Sequence, residues 1–329
     1  MNIRTSPAPY SSAVEPLLYT LEGLDPDVVT TVEIINADNG ATLGTLRLKG
    51  LATRSIDVAP YLRRHFALNP VINSGTYVIA HPTSIINSYI RVDDIDSPTL
   101  HAVLAAPHNS SLVSNSLLSD QPLVRTLAAG ENDDLRTIST DCSIEAAFRL
   151  IDVNGGVTDY NLGTEEREQM VGVVVDFDTL QARVATPLKR IEVTLSTSEK
   201  EVATVIYDIV ERGVAARRVA WFNSHGACDL HTFEGFAGRK VSFERSRVAG
   251  SPDPLTARRT TLTLDSGIMP HGSLGAMLSM LSSPAVWIID EGRLRRVEVV
   301  TTEYSSYPKD RPDRVVVSLS YIETISRTV

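Results

Sequence analysis

Asn223-Ser224-His225-Gly226-Ala227-Cys228-Asp229-Leu230-His231 gathers more chemically capable side chains than any other stretch of this length in the chain. Ser224, His225 and Asp229 are the residue types of a nucleophile, its base and the group that orients the base. Asp229 and His231, two apart on a strand, would share a face, and with His225 they could offer a metal two imidazoles and a carboxylate. Neither chemistry is the expected one. A triad is defined by geometry, and neighbours on a short hairpin rarely converge on one atom. No second His, Asp or Glu group at ligand spacing accompanies the cluster. The expectation is a hairpin tip whose Asn and Asp bond its own backbone, with no catalytic residue, no metal and no cofactor.

Other motifs are weaker. His271-Gly272-Ser273-Leu274-Gly275 lacks the glycine two positions before the serine that a nucleophile elbow needs. No Walker loop or G-x-G-x-x-G occurs, which removes the common phosphate cradles. Acids cluster at Asp93-Asp94 with Asp96, at Asp133-Asp134, and at Glu165-Glu166 with Glu168, and all are read as solvated surface groups. The first cluster lacks the spacing and terminal Glu of a calcium loop. Arg293, Arg295, Arg296, Tyr304, Tyr307, Lys309, Arg311 and Arg314 come nearest to a basic, aromatic nucleic-acid surface. Pro308 and Pro312 make the second half a loop, and Asp310 and Asp313 offset its charge.

Charge argues the same way. The chain carries 31 basic and 40 acidic residues, a formal charge of -9, which repels a phosphate backbone. Residues 236–329 hold 13 basic and 10 acidic residues, leaving 18 and 30 for the rest, so +3 faces -12. That asymmetry suits docking between subunits better than a grip on nucleic acid. The first 14 residues lack the apolar run of a signal peptide, and no later stretch is long enough to enter a membrane as a helix. Cys142 and Cys228 are too few for a disulfide framework and are expected to be reduced thiols, although a single bridge between them stays open.

The elements that must position these groups are mostly strands. At 329 residues the chain exceeds one core, so two or three domains are expected. The reading is mainly β: tandem β-sandwich domains, Ig-like or jelly-roll-like, with one or two short helices. Boundaries fall at 1–100 for an N-terminal sandwich, 101–134 for a linker or long loop rich in Ser, Asn and Pro, 135–236 for a middle β domain, and 237–329 for a C-terminal β unit.

Asn39-Gly40 between Val28–Ile35 and Ala41–Leu48 predicts a hairpin. Leu46 and Leu48 share a face there, and Leu43 falls on the polar one. Asp57 and Pro60 predict the start of a short helix. Val202–Val210 fits helix and strand periods alike, and its β-branched content favours strand. Ser273 is the expected cap of a helix over about 273–282, whose Leu274, Met277, Leu278 and Leu281 would face a sheet.

The run Arg218 to Gly235 resembles a pattern in tail-region and other virion proteins of phages and prophages of anaerobic gut-type bacteria. Trp221, Asn223, Gly226, Asp229, Phe233 and Gly235 match it; Phe222, Ala227 and His231 depart from it. A Leu-rich helix followed by Ser283-Pro284-Ala285-Val286-Trp287 and the N-terminal Ser6-Pro7 add to the resemblance. It implies a virion component of a tailed phage, in tail, neck or baseplate, made in the host cytoplasm. Such a protein is not an enzyme, and its partners are other virion proteins and copies of itself. The six matching residues are then candidates for a structural hairpin or interface. The alternative is a carbohydrate-binding or adhesin-like β-sandwich, with exposed aromatics for a glycan or a loop-end calcium site.

Overall fold

A computed structural model describes the chain except residues 68–69, 73–74, 82–83, 106–115, 140–142, 165–168, 198–199, 247–254, 270–271, 291, 302–313 and 326–329. It is mainly β, with tandem sandwich-like units and three short α-helices among the described residues. No helix there is long and apolar enough to cross a membrane.

Residues 1–103 carry β1 (Asn2–Thr5), β2 (Tyr10–Ser12), β3 (Leu18–Glu22), β4 (Thr30–Asn36), β5 (Thr42–Leu48), β6 (Thr53–Asp57), α1 (Ala59–Leu62), β7 (Tyr77–Ala80), β8 (Ile85–Val92), β9 (Ile95–Asp96) and β10 (Leu100–Val103), and all but β7 build the first unit. Sheet β1-β3-β6 packs on sheet β2-β10-β8-β4-β5, and Tyr19, Leu21 and Ile56 meet Val32, Ile34, Ile90 and Val92 between them. The expected hairpin joins β4 to β5, with Gly40 at φ 71° and the Asn36 side chain accepting from the Asp38 amide at 2.8 Å. A register slip opposite Ile34 and Ile35 makes Leu43 an extra residue, turning it to the core side with Leu46 and Leu48. The bulge removes the apparent break in the alternation. Asp57 sits one residue before the helix N-cap, Val58, and its carboxylate accepts from the Leu17 and Ala59 amides; Pro60 lies in the first turn as expected.

The middle unit contains β11 (Val124–Leu127), β12 (Asn132–Ser139), β13 (Ile144–Asp152), β14 (Val157–Thr164), β15 (Gln169–Asp176), α2 (Phe177–Gln181), β16 (Leu188–Thr197) and β17 (Glu201–Ile209). Of Val202–Val210, all but Val210 is thus strand. Sheet β11-β17-β16-β13-β14 packs on the small sheet β12-β15-β7, enclosing Phe148, Leu150, Ile191, Val193, Val173 and Val175. Three expected boundaries need correction. The stretch 101–134 is not simply a linker, because β10 ends in it, β11 lies within it and β12 begins in it. β7, placed by sequence in the first domain, pairs antiparallel with β15 of the second. The hairpin over 217–233, assigned to the middle domain, belongs to the C-terminal sheet.

That sheet has the order β19-β18-β22-β23-β24-β21-β20. Its strands are β18 (Arg217–Phe222), β19 (Cys228–Phe233), β20 (Gly235–Ser246), β21 (Leu255–Asp265), β22 (Val286–Asp290), β23 (Arg293–Val299) and β24 (Val316–Ile325), and α3 (Ser273–Ser282) covers part of one face. Ser273 does not cap α3; Gly272 holds the N-cap position at φ 100°. The buried stripe is Ala276, Met277 and Met280, while Leu278 is exposed, so the helix is rotated from the expected face.

The opposite face of β18, β19 and β22 turns toward β12. Met170, Val171 and Val173 to Val175 are therefore buried on both sides of β15, which lies in a middle layer and reads as a continuous apolar run.

Candidate functional site

The hairpin β18–β19 folds as its residues require. Gly226 takes φ 82°, closed to most L side chains, and the Asn223 side-chain oxygen accepts from the amides of His225 and Ala227, both at 3.0 Å. Asn223 Nδ2 reaches out to the Leu118 carbonyl. Trp221 and Phe233 are fully buried against α3 and the C-terminal core. Gly235 starts β20 and lies against Asp265, where an added Cβ would stand 3.0 Å from the Asp265 Cβ. A Cβ on Gly226 would meet the backbone of Leu104 at 3.3 Å, so the tip presses on the first unit. Ala227 joins Ile85, Val103, Ala105, Leu118, Ile138 and Met170 in one apolar cluster. All three units meet at this tip, and the matching residues face inward.

Around it lies a chain of buried ionisable groups. Asp229, 2% exposed, accepts from Ser119 Oγ at 2.6 Å and from the Asp120 amide at 3.0 Å. Ser119 Oγ receives Arg125 at 2.8 Å; Arg125 also donates to Asp133, which accepts from the Tyr207 hydroxyl, each at 2.8 Å. Glu131 accepts from Thr232 and pairs with Arg212 and Arg218. Asp134 pairs with Arg136 at 2.7 Å, with His81 Nε2 3.5 Å away. Asp133 and Asp134, expected as solvated acids, are buried. The correction has a physical reason: β12 lies in the middle layer, and both of its faces meet neighbours.

The electrostatics follow from burial and partners. Desolvation pushes the Asp229 carboxyl up to about 6 despite Arg125 and Ser119, and it lifts the Cys228 thiol to about 11. Burial, with Arg218 and Arg212 nearby, lowers His231 to about 4 and keeps it neutral. Burial opposes ionisation of Asp134, yet Arg136 and His81 hold it at about 2. Asp120 also ionises against its burial, because hydrogen bonds from His225 and Ser224 hold it well below the ordinary range.

The triad-like residues do not converge as a triad. Ser224 Oγ donates to Asp120 Oδ1 at 2.5 Å, and His225 Nε2 stands 3.3 Å from that same oxygen. Serine and imidazole thus share one carboxylate, while Asp229 engages Ser119 on another side. A carboxylate so strongly acidic is a poor base for the Ser224 proton. A mostly apolar cavity of about 360 Å³ adjoins, lined by Val14, Leu104, Phe222, Ser224, Ser279 and Pro284 among others.

For metals, no set of three or more His, Cys, Asp and Glu side chains among the described residues is placed to hold an ion. Asp96 is taken by Arg91 through bonds of 2.7 and 2.9 Å. Arg295 lies over the Tyr321 ring and pairs with Glu323 at 2.7 Å, and Arg314 pairs with Asp265. Cys228 is a free, buried thiol. Cys142, Glu165, Glu166, Glu168, His271, Tyr304, Tyr307, Lys309, Asp310, Arg311 and Asp313 lie outside the described residues.

Sequence reasoning missed Ser119, Asp120, Arg125, Glu131 and Arg136. Asp120 is 104 residues from Ser224, and nothing local marks such a partnership.

No protein-family model matches the chain, and no curated protein matches it significantly. Among solved structures, a crystal structure of Salmonella alpha-2-macroglobulin mutant Y1175G aligns with 92% of this chain and 25% of that one, at 8% identity and a TM-score of 0.21. The chain thus spans about a quarter of that protein's length, and at this TM-score the likeness carries no argument.

Proposed function

We propose that this chain is a non-enzymatic structural component of a tailed-phage virion, in its tail, neck or baseplate, working by docking against other subunits. One observation carries the non-enzymatic part: the converging ionisable groups around Asn223 to His231 are engaged in internal pairs where the three units meet. Asp120 binds Ser224 and His225, Asp133 binds Arg125 and Tyr207, and Glu131 binds Arg212 and Arg218. The Asp120 and Glu131 pairs tie the middle unit to the C-terminal sheet, and the Asp133 set braces the middle unit itself, as a load-sharing subunit requires. The resemblance of Arg218 to Gly235 to virion proteins supplies the setting.

Mass spectrometry of density-purified particles from a host carrying the gene is the test. The chain is expected at stoichiometric level in intact particles. Its confinement to the soluble lysate would sink the proposal, as would a hydrolytic activity that Ser224→Ala abolishes.

A further inference from the structure

The helix α3 covers only half of its face of the seven-stranded sheet. Pairing places Arg239 beside Leu262, Val241 beside Thr260 and Phe243 beside Arg258, with Tyr321 and Glu323 next along on β24. Arg295 of β23 joins this half from the other side, over the Tyr321 ring. Phe243 is 62% exposed and Val241 38%. A concavity of about 410 Å³ lies there, lined by Arg217, Phe236, Arg239, Arg295, Tyr321 and Glu323 among others.

Three arginines meet two carboxylates in that lining, Asp290 and Glu323, and Arg239 has no ion-pair partner among the described residues. The sheet also ends at β20, twelve residues whose outer edge pairs with no strand among the described residues. A long edge strand that sets the exposed Phe236, Val241 and Phe243 among basic residues, beside a partly uncovered aromatic face, is a surface that folded proteins otherwise blunt or cover.

The complementary surface is on the same molecule. The outward face of sheet β11-β17-β16-β13-β14 carries Glu145, Arg149, Asp159, Glu192, Arg190 and Asp208 in register. Arg149 is paired with Asp159 and Arg190 with Asp208. Glu145 and Glu192 form no ion pair within 4 Å among the described residues, although Arg149 sits across from Glu192 in the ladder, and the face is otherwise of Ala147, Asn161, Thr194, Thr204 and Ile206. That face, with four carboxylates to two arginines, and the basic, aromatic half-face match the imbalance of -12 before residue 236 and +3 from it onward.

We infer that copies of this chain associate head to tail, the Arg239, Val241 and Phe243 half-face of one docking on the Glu145 and Glu192 face of the next. The two patches differ, so the contact is heterologous and builds a ring or a filament rather than a closed pair. The inference rests on the docking role proposed above and names the partner as a second copy.

Sedimentation of the full chain over a concentration series at low and high salt tests it, with two double variants. Arg239→Ala with Phe243→Ala removes one patch; Glu145→Lys with Glu192→Lys removes the other. The unaltered chain is expected to form species larger than dimers that shrink as salt rises. Each variant alone is expected to be at least tenfold weaker in association. Their equimolar mixture should yield a dimer and stop there, since one intact pair of patches remains.

A circular-dichroism spectrum like that of the unaltered chain shows that each variant has folded. Should a variant fail to fold, the single changes Arg239→Gln and Glu192→Gln take its place, with the same mixing rule. A monomeric unaltered chain at about 100 µM, or variants that associate undiminished, overturns the inference. If such a chain is still found in purified particles, only the self-docking inference fails. If it associates as described but is absent from particles, the virion assignment fails instead.

Discussion

Removing the carboxylate of Asp133 should be among the costliest single changes away from the apolar cores. Asp133 holds Arg125 and the Tyr207 hydroxyl at 2.8 Å each, and the side chains of Asp133 and Arg125 are only 3% and 4% exposed. Asp133→Leu keeps the volume but leaves a buried guanidinium without its counter-charge and a buried hydroxyl without its acceptor. Breaking a buried pair from one side costs about 3–5 kcal/mol. Arg125 keeps Ser119 and the Pro122 carbonyl, which places the expectation near the lower end, about 3 kcal/mol.

For a cooperative unit of this size that corresponds to a fall in Tm of about 6–12 °C. Arg125→Met combined with Asp133→Leu removes both charges and should recover most of the loss, to within about 1 kcal/mol of the unaltered chain. Urea unfolding followed by circular dichroism measures all four corners of the cycle. A cost below about 1 kcal/mol for the single change, or a double variant as unstable as the sum of the singles, would refute the reasoning.

Other expectations follow from the same geometry. His231 falls from 6.5 to about 4 on folding, so its contribution is present above pH 6.5 and is lost as pH drops through 4, about 3 kcal/mol in all. His231→Phe should therefore flatten the acid limb of a stability-versus-pH curve, and an unchanged limb would contradict the assignment. Asp229 acts in the opposite sense. Its carboxyl rises from 3.8 to about 6, so stability is lost as pH climbs across that window, and Asp229→Asn should remove this component in the same titration.

Gly172→Ala would put a Cβ 2.4 Å from Asp134 Oδ1 and 2.5 Å from His81 Nε2, for an expected loss of about 1–3 kcal/mol in urea unfolding. Gly226→Ala combines φ 82° with a contact on the Leu104 backbone and should cost about 1–3 kcal/mol; a neutral result would mean that the tip is not pinned.

Strands were legible where local chemistry dictates them. Asn39-Gly40 marks a hairpin because both residues accept positive φ, and Gly226 with Asn223 marks another. The apolar run of β15 was readable as strand, although its burial on two faces depends on a third layer that no local pattern announces. Leu43 looked misplaced until the bulge shifted its parity, since an extra residue leaves no mark in composition. Asp133 and Asp134 resembled surface acids because Tyr207 and His81 are brought in by folding, while Arg136, two positions from Asp134 on the same strand, reads in sequence as an ordinary exposed pair. The domain boundaries failed at β7 for the same reason: pairing with a strand ninety residues later is a non-local choice.

The crossing of β7 into the small sheet constrains how this chain can be divided. A fragment starting after residue 105 would carry every strand of the middle unit except the one that closes the free side of β15. Val171 to Val174 would then present bare amides and carbonyls along an apolar strand, an invitation to pair with a stranger. Synthesis meets the same condition in reverse, since β7 leaves the ribosome long before its partner and must wait for it. The first two units are therefore expected to fold properly only when expressed and truncated as one piece.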